Sequence, residues 1–415
     1  MKSKSESIHR RTMLKAVAAG IGAAAVAPVS GEALAGVAID DAKIEIAGDG
    51  ARRLVSELGR RSPYEKPRRL VRGRKPSSAS RTPIQEFEGM ITPADLHYER
   101  HHVGVPIIDP DKYTLTIDGM VSQPTTYKLA DLMQFIPESH FYYVECGSNG
   151  RSAFARIKED QTPQNIDGRS STSEWTGVSL SALLKLAGVK EGATWLVADG
   201  HDEGAWKRSY PIEKGWDDAL LAYAQNGEAV RPEQGYPVRL LLPGWGAGSH
   251  MKWVRHIEVT DAPFLTEKQA EANEETPAER AKRILASVRG AKSIITSPAY
   301  PNVVSPGSSL VKGLAWSGRG KIAGVDISTD GGKTWEAATL TGPVFPKCQT
   351  RFAYRWNWDG REAMLMSRAK DETGNVQLSL EEVRAGIEAD TLKNQNNNIR
   401  AWKVGADGSV VFGLV

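Results

Sequence analysis

Cysteine is scarce in this sequence, since Cys146 and Cys348 are the two in 415 residues. Two thiols cannot form the disulfide framework of a small secreted domain. They lie about 200 residues apart in segments of different character, so we expect them to stay separate. Cysteine-based zinc and iron–sulfur sites need several ligands at short spacing, and c-type haem needs C-x-x-C-H. Neither pattern is present.

The sequence also lacks an apolar run of the roughly 20 residues that a membrane-spanning helix needs. The N-terminal run, Ala16–Ala27, has twelve residues. It follows the pair Arg10-Arg11 and precedes the small residues 33–35, which resemble a cleavage site. These features are typical of a twin-arginine export signal over residues 1–35. We therefore expect a periplasmic protein without a membrane span.

Neither sign of charge is in excess outside that signal. The chain has 53 Lys and Arg against 50 Asp and Glu. Five of the former and two of the latter lie in residues 1–35, so the remainder carries 48 of each. A nucleic-acid partner therefore lacks its main electrostatic support.

The length of the chain predicts two domains with extensions. The expected fold class is α+β: a mixed α/β domain over residues 85–262, followed by an all-β immunoglobulin-like sandwich with a C-terminal tail over 291–415. Residues 36–84 are polar and basic in patches, and we expect a solvated extension there. Residues 263–290 are charged and helix-prone, which suits a linker.

Local patterns predict several elements. Apolar residues alternate along residues 113–119 as in a half-buried strand. A helix should begin after Ser179 and end at Gly188. The Asp-Gly-Gly sequence at 330–332 indicates a hairpin turn. The tail should pack back onto a domain through the apolar side chains of residues 399–404.

Cys146 follows the β-favouring run Phe141–Val144 and lies in the glycine-flanked turn YVECGSNGRS. A thiolate at the end of a strand is accessible and is a soft metal ligand. Because no second cysteine or nearby histidine completes a site, other ligands of a metal would come from a cofactor. On the residues alone, a buried structural cysteine remains the alternative.

Five blocks in chain order resemble the signatures of the sulfite oxidase family of molybdenum enzymes, over roughly residues 85 to 405: HYERHHVGVPIIDPDKYTLTIDG, YVECGSNGRS, GRSSTSEWTGVSL, LLAYAQNGEAVRPEQGYPVRLLLPGWGAGSHMKW and SLVKGLAWSGRGKIAGVDISTDGGKTW. The resemblance implies a Mo-molybdopterin cofactor whose metal is bound by the Cys146 thiolate. The cofactor-binding positions that it implies are Tyr98, Arg100, His102, Cys146, Asp202, Gln234, Arg239, His250, Met251 and Lys252.

The resemblance also implies an activity. Arg100 and Arg151 match the family's oxyanion-binding positions and are the implied catalytic residues. The leader, the HYERHH block and the NNNIRAWKV tail look most like the molybdenum subunit of the Sox sulfane dehydrogenases. The implied function is oxidation of sulfane sulfur on a carrier protein, or of sulfite, with electrons passing to a cytochrome c. A homodimer, or a heterotetramer with the cytochrome, is expected.

Several departures and alternatives stay open. Gln234 stands where the family usually has a histidine, and Ser249 stands where many members have an arginine. An active-site tyrosine is common in the family after the position of Val259, but here no tyrosine occurs between Val259 and Tyr300. A free-sulfite dehydrogenase and a non-catalytic exported carrier or structural protein with a degenerate site are the two main alternatives. The hairpin STDGGKTW also fits the repeated hairpin pattern of sialidase propellers. That pattern recurs in several blades of a propeller, whereas it occurs once here, which argues against a glycosidase. A periplasmic methionine sulfoxide reductase is a further alternative among molybdenum enzymes. Those reductases resemble the catalytic domain alone, so the expected C-terminal sandwich argues against this alternative.

Overall fold

The structure is a computed structural model that describes residues 59–74, 77–155, 158–202, 207–264, 288–386 and 396–413. The predicted export signal over residues 1–35 and most of the predicted linker over 263–290 lie outside the described residues. From Pro67 onward the described residues belong to one compact unit.

The first part of that unit contains three sheets. Its strands are β1 Arg72–Arg74, β2 Ser77–Ala79, β3 Arg100–His101, β4 Thr114–Gly119, β5 Thr125–Lys128, β6 Glu138–Glu145, β7 Ser170–Ser179, β8 Trp195–Gly200, β9 Arg208–Pro211, β10 Leu220–Gln225, β11 Glu228–Ala229, β12 Arg239–Leu241 and β13 Val254–Thr260. The sheet orders are β1-β2-β3, β11-β10-β7-β6 with β12 paired to β10, and β5-β4-β13-β8-β9. Strand β13 runs parallel to β4 and antiparallel to β8.

Short helices fill the connections. They are α1 Leu129–Leu132, α2 Ser152–Ala155, α3 Pro163–Asp167, α4 Leu180–Ala187, α5 Ile212–Asp217 and α6 Leu380–Gly386. Helix α4 confirms the prediction for this segment, because its apolar stripe of Leu180, Leu183, Leu184 and Ala187 is fully buried. It ends at Gly188, whose φ of +65° is the left-handed conformation that favours glycine. Among the described residues no helix is long and apolar enough to cross a bilayer.

The second part is built from strands β14 Lys292–Ser297, β15 Gly307–Trp316, β16 Ile322–Ser328, β17 Glu336–Ala337, β18 Thr339–Thr341, β19 Thr350–Trp358, β20 Ala363–Asp371, β21 Arg400–Val404 and β22 Val410–Gly413. They form two antiparallel sheets, β14-β15-β19-β18 and β17-β16-β20-β21-β22, around a shared apolar core. The tail prediction is confirmed, because Trp402 and Val404 of β21 lie fully buried in that core.

The fold class is confirmed in its coarser part, since the described residues are mostly β with a few helices. One expectation needs correction. The extension over 36–84 is not solvated at its C-terminal end, where Ser80, Thr82 and Ile84 are buried. Its side chains are polar, but its backbone pairs with the fold: β2 pairs with β3, and the Thr82 N–H donates to the Gly168 carbonyl at 2.7 Å.

Candidate active site at Cys146

A cavity of about 380 Å³ opens where β3 and β6 end and β12 begins. This volume lies within the range of small-molecule and cofactor sites. The loop over residues 247–253 closes one side. The lining residues are Tyr98, Arg100, His101, His102, Val144, Cys146, Gly147, Ser148, Asp202, Arg208, Gln234, Arg239, Ala247, Gly248, His250, Met251, Lys252 and Trp253.

Cys146 is half-buried at the first position after β6. Its N–H donates to the Arg169 carbonyl at 3.0 Å, and its carbonyl accepts from the Asn149 N–H at 2.9 Å. The Cys146 Sγ lies 3.4 Å from the Ser148 Oγ. The backbone N–H and carbonyl groups of Cys146 are therefore both fixed by hydrogen bonds, and its sulfur lines the cavity. Cys348 differs, because burial raises the pKa of its thiol to about 12. The two cysteines are free thiols, as predicted.

Lys252 and His101 form one wall through a chain of hydrogen bonds. The Lys252 Nζ donates to the Arg100 carbonyl at 3.1 Å, to the Glu233 carbonyl at 3.1 Å and to the His101 Nδ1 at 2.9 Å. The other ring nitrogen of His101 lies 2.9 Å from Glu99. Burial, together with the adjacent Lys252, lowers the pKa of His101 to about 3, so the ring is neutral and its Nδ1 accepts from the Lys252 Nζ.

Arg239 and Gln234 line the cavity next to Lys252. The Arg239 guanidinium lies 4.8 Å above the Trp175 ring and donates to Gln234 Oε1 at 3.4 Å. The Gln234 amide in turn donates to the Tyr98 carbonyl at 2.8 Å. Burial lowers the pKa of Arg239 to about 10, which leaves it charged at neutral pH. Gln234, a departure from the family pattern, thus holds both an arginine and the segment that carries Tyr98.

Among the described residues, basic side chains outnumber acidic ones around the cavity. Arg100, Arg208, Arg239 and Lys252 line it together with one described carboxylate, Asp202, and burial lowers the pKa of Lys252. Burial raises the pKa of Asp202, and it lowers the pKa of His250 to about 3. Such an arrangement attracts an anionic ligand.

The structure brings together every sequence-predicted site residue except Arg151. Arg151 is exposed in the turn after Cys146 and is not among the lining residues. His101, Ser148, Arg208 and Trp253 also line the cavity and were not predicted. The sequence ERHH offers two adjacent histidines as candidate site residues, His101 and His102. The pairing of β2 with β3, which the sequence does not reveal, positions His101 at the cavity.

Comparisons with known proteins match both parts of the chain. Residues 102–268 match the oxidoreductase molybdopterin binding domain, and residues 285–387 match the Mo-co oxidoreductase dimerisation domain. Sulfite oxidase of Gallus gallus is 30% identical over 356 residues, which are 76% of this chain and 74% of the relative. The chain belongs to the sulfite oxidase family. The resemblance inferred from the five sequence blocks is thereby confirmed.

Other relatives differ in how much of their length is matched. Mitochondrial sulfite oxidase of Rattus norvegicus is 28% identical, and the match covers 76% of this chain but 62% of the relative. The NADH nitrate reductase of Solanum lycopersicum is 30% identical over 70% of this chain and 36% of its own length. Among solved structures, the sulfane dehydrogenase SoxCD of Paracoccus pantotrophus superposes with a TM-score of 0.75 and 37% identity, covering 92% of this chain and 95% of that chain.

Membership of the sulfite oxidase family implies a Mo-molybdopterin cofactor, and the residues of this chain fit one. Among the described residues no cluster of three or more His, Cys, Asp or Glu could hold a metal alone. Asp202 Oδ1 and Arg239 Nε are buried without a hydrogen-bond partner in the described part of the chain. Such groups are costly unless a ligand satisfies them. A heterocycle with N–H groups and a phosphate would pair with both.

Proposed function

We propose that this chain is an exported molybdenum oxidoreductase that oxidises sulfane sulfur on a carrier protein, or sulfite, and passes the electrons to a cytochrome c. The observation that carries the proposal is a single half-buried thiol at one end of a cation-rich cavity. The likeness to a sulfane dehydrogenase over 92% of the chain favours the sulfane donor. Free sulfite is the second candidate substrate, because several sulfite oxidases match over 76% of the chain.

When bound, the molybdenum centre supplies oxygen-atom transfer to sulfur together with the uptake of two electrons. The residues of the chain hold and orient the reactants. Arg100 is fixed by a 2.9 Å hydrogen bond from its Nη1 to the Ser77 Oγ, so its charge stays at the cavity wall. Arg208 is fixed by its Nε, which donates to the Gly248 carbonyl at 2.8 Å. Preorganised cations of this kind stabilise an anion without reorganising.

The location and the partners are part of the proposal. The twin-arginine pattern in residues 1–35 supports export to the periplasm. A match to a dimerisation domain over residues 285–387 supports an oligomer, either a homodimer or a heterotetramer with the cytochrome. We also propose that residues 291–415 are an immunoglobulin-like sandwich, which the two antiparallel sheets around one core support. The catalytic domain is proposed to cover residues 85–262.

Metal content tests the cofactor-binding role of Cys146. We expect about one molybdenum per chain in protein from a molybdenum-replete host, and loss of the metal in Cys146→Ser, because the thiolate ligand is removed. Cys348→Ala is the matched control, since this cysteine is buried elsewhere, and it should retain the metal. Elemental analysis after gel filtration gives the result. A folded, metal-free wild-type protein would favour the non-catalytic alternative.

Cytochrome c reduction separates the candidate substrates. Purified metal-loaded protein is assayed with sulfite and with a thiol-bound sulfane donor at equal concentration. We expect the sulfane donor to give the larger kcat/KM. A preference for sulfite would assign the chain as a free-sulfite dehydrogenase, and metal-loaded protein inactive with both donors would contradict the proposed activity.

A further inference from the structure

Arg169 lies directly behind the cysteine turn, between α3 and β7. Three hydrogen bonds attach it there. Its carbonyl accepts from the Cys146 N–H at 3.0 Å, its N–H donates to the Asn149 Oδ1 at 2.9 Å, and its Nη1 donates to the Ser148 Oγ at 2.6 Å. The guanidinium is therefore held next to the end of the cavity that contains the sulfur.

Ser148 links this guanidinium to the cavity. An arginine side chain can only donate hydrogen bonds, so the Ser148 Oγ accepts from Arg169. The single hydroxyl proton of Ser148 remains free to point towards the Cys146 Sγ at 3.4 Å, or towards an anion in the cavity that Ser148 lines. A donor polarised by a cation gives a stronger hydrogen bond to an anionic acceptor.

The carboxylates near Arg169 are already paired with other cations. Arg81 and Arg100 interact with it unfavourably, and none of the three forms a salt bridge within the described residues. The nearby carboxylates of Glu145 and Asp167 are already paired with Lys292. In addition, the Nε atoms of Arg81 and Arg169 are buried without a hydrogen-bond partner in the described part of the chain. Clustered cations with unsatisfied donors are the features of an anion site.

We infer that Arg169, acting through Ser148, is the positioning cation for the anionic sulfur group at the Cys146 end of the cavity, in place of the exposed Arg151. This inference rests on the proposed function, from which the anionic substrate is taken. Ser148 is the contacting group. Arg169 fixes the direction of its hydroxyl and supplies the charge.

Substitutions in the metal-loaded full-length chain test this role. Arg169→Met removes the charge and the donor, Arg169→Lys keeps the charge, and Ser148→Ala removes the link. Arg151→Met represents the competing assignment, and Arg361→Met, at an exposed arginine of the second part of the chain, is the neutral control. Each variant is measured for sulfate binding by calorimetry, for molybdenum content, and for kcat and KM with sulfite.

In Arg169→Met we expect sulfate affinity to fall at least about tenfold, and KM for sulfite to rise by a similar factor, with unchanged molybdenum content. Arg169→Lys should recover part of the affinity, and Ser148→Ala should resemble Arg169→Met. These two variants also decide the matter if Arg169→Met does not fold. Arg151→Met and Arg361→Met should remain within about twofold of wild type.

Two results would overturn the inference. One is weaker sulfate binding in Arg151→Met while Arg169→Met behaves like Arg361→Met. The other is loss of molybdenum from Arg169→Met that Arg169→Lys restores, since Arg169 would then hold the cofactor. A wild-type chain that binds sulfate through Arg169 but oxidises neither donor overturns the proposed function alone.

Discussion

At the scale of single residues, the carboxylate next to the predicted metal ligand is unusual. Glu145 is buried directly before Cys146, yet burial is outweighed by Lys292, Arg289 and Asn149, so the pKa of Glu145 is lowered. Lys292 Nζ lies 2.9 Å from Glu145 Oε1 and 2.6 Å from Asp167 Oδ1. The Trp316 indole donates to Glu145 Oε2 at 3.1 Å. Two strands of the second part thereby hold the residue that directly precedes Cys146.

Removing Lys292 tests this ion cluster. In Lys292→Met two buried carboxylates lose their common partner, so the free energy of unfolding should fall by about 3 to 5 kcal/mol. Lys312→Met, which breaks the exposed pair with Glu88, is the control and should cost about 0 to 1 kcal/mol. Urea denaturation measures both values. Equal losses in the two variants would contradict a structural role for the cluster.

At the scale of elements, the turn after β6 tolerates no side chain at Gly150. Its φ is +82°, and an added Cβ would lie 2.7 Å from the Asn396 carbonyl oxygen and 2.9 Å from Asp167 Oδ1. Gly227 has nearly the same backbone, with a φ of +79°, but nothing lies within 4 Å of its Cβ position. A comparison of substitutions at Gly150 and Gly227 therefore separates the cost of backbone strain from the cost of crowding.

Alanine at these two glycines gives different expected costs. Gly227→Ala should lose about 1 to 2 kcal/mol of unfolding free energy, from the left-handed conformation alone. Gly150→Ala should lose about 1 to 3 kcal/mol more through crowding, and its molybdenum content should fall because the cysteine turn shifts. Urea denaturation and metal analysis test this. Equal unfolding costs and full metal content in both variants would show that the turn accommodates the added methyl group.

The sequence predicted those elements whose signals are local. Helix α4 has a complete apolar stripe and a terminal glycine, and the strand over residues 113–119 alternates clearly, with Leu115 and Ile117 fully buried. The position of Cys146 after a strand could be predicted for the same reason. Arg169 and Lys292 could not be assigned to the site, because pairings between segments far apart in sequence bring them to the cysteine turn. Arg151 was implied by its match to a family oxyanion-binding position, and its side chain is exposed in the structure.

At the scale of the whole molecule, several histidines are buried in the neutral form. Burial lowers the pKa of His97, His101 and His250 to about 3, against about 6.5 in an unfolded chain. Between these values the unfolded chain binds more protons than the folded chain. The contribution of these neutral histidines to the free energy of unfolding is therefore fully present above pH 6.5 and is lost as the pH falls towards 3.

The pH dependence of unfolding checks this prediction. Each of these histidines should contribute up to about 1.4 kcal/mol per pH unit between pH 6 and 4. His97→Gln should reduce the slope by about that amount, and His140→Gln, at an exposed position, is the matched control. Urea denaturation at a series of pH values gives the slopes. A slope unaffected by His97→Gln would mean that His97 is not neutral in the folded protein.

Residues near the end of the chain support the loop beside Cys146. The Asn396 Nδ2 donates to the Gly147 carbonyl at 3.3 Å, and the Arg400 Nη2 donates to the Asn396 carbonyl at 2.6 Å, so the loop beside Cys146 is braced by residues about 250 positions later. A nascent chain that has emerged only through its first domain lacks this support. The turn that contains Cys146 therefore gains these contacts only after almost all of the polypeptide has left the ribosome, and we expect loading of the cofactor to follow synthesis.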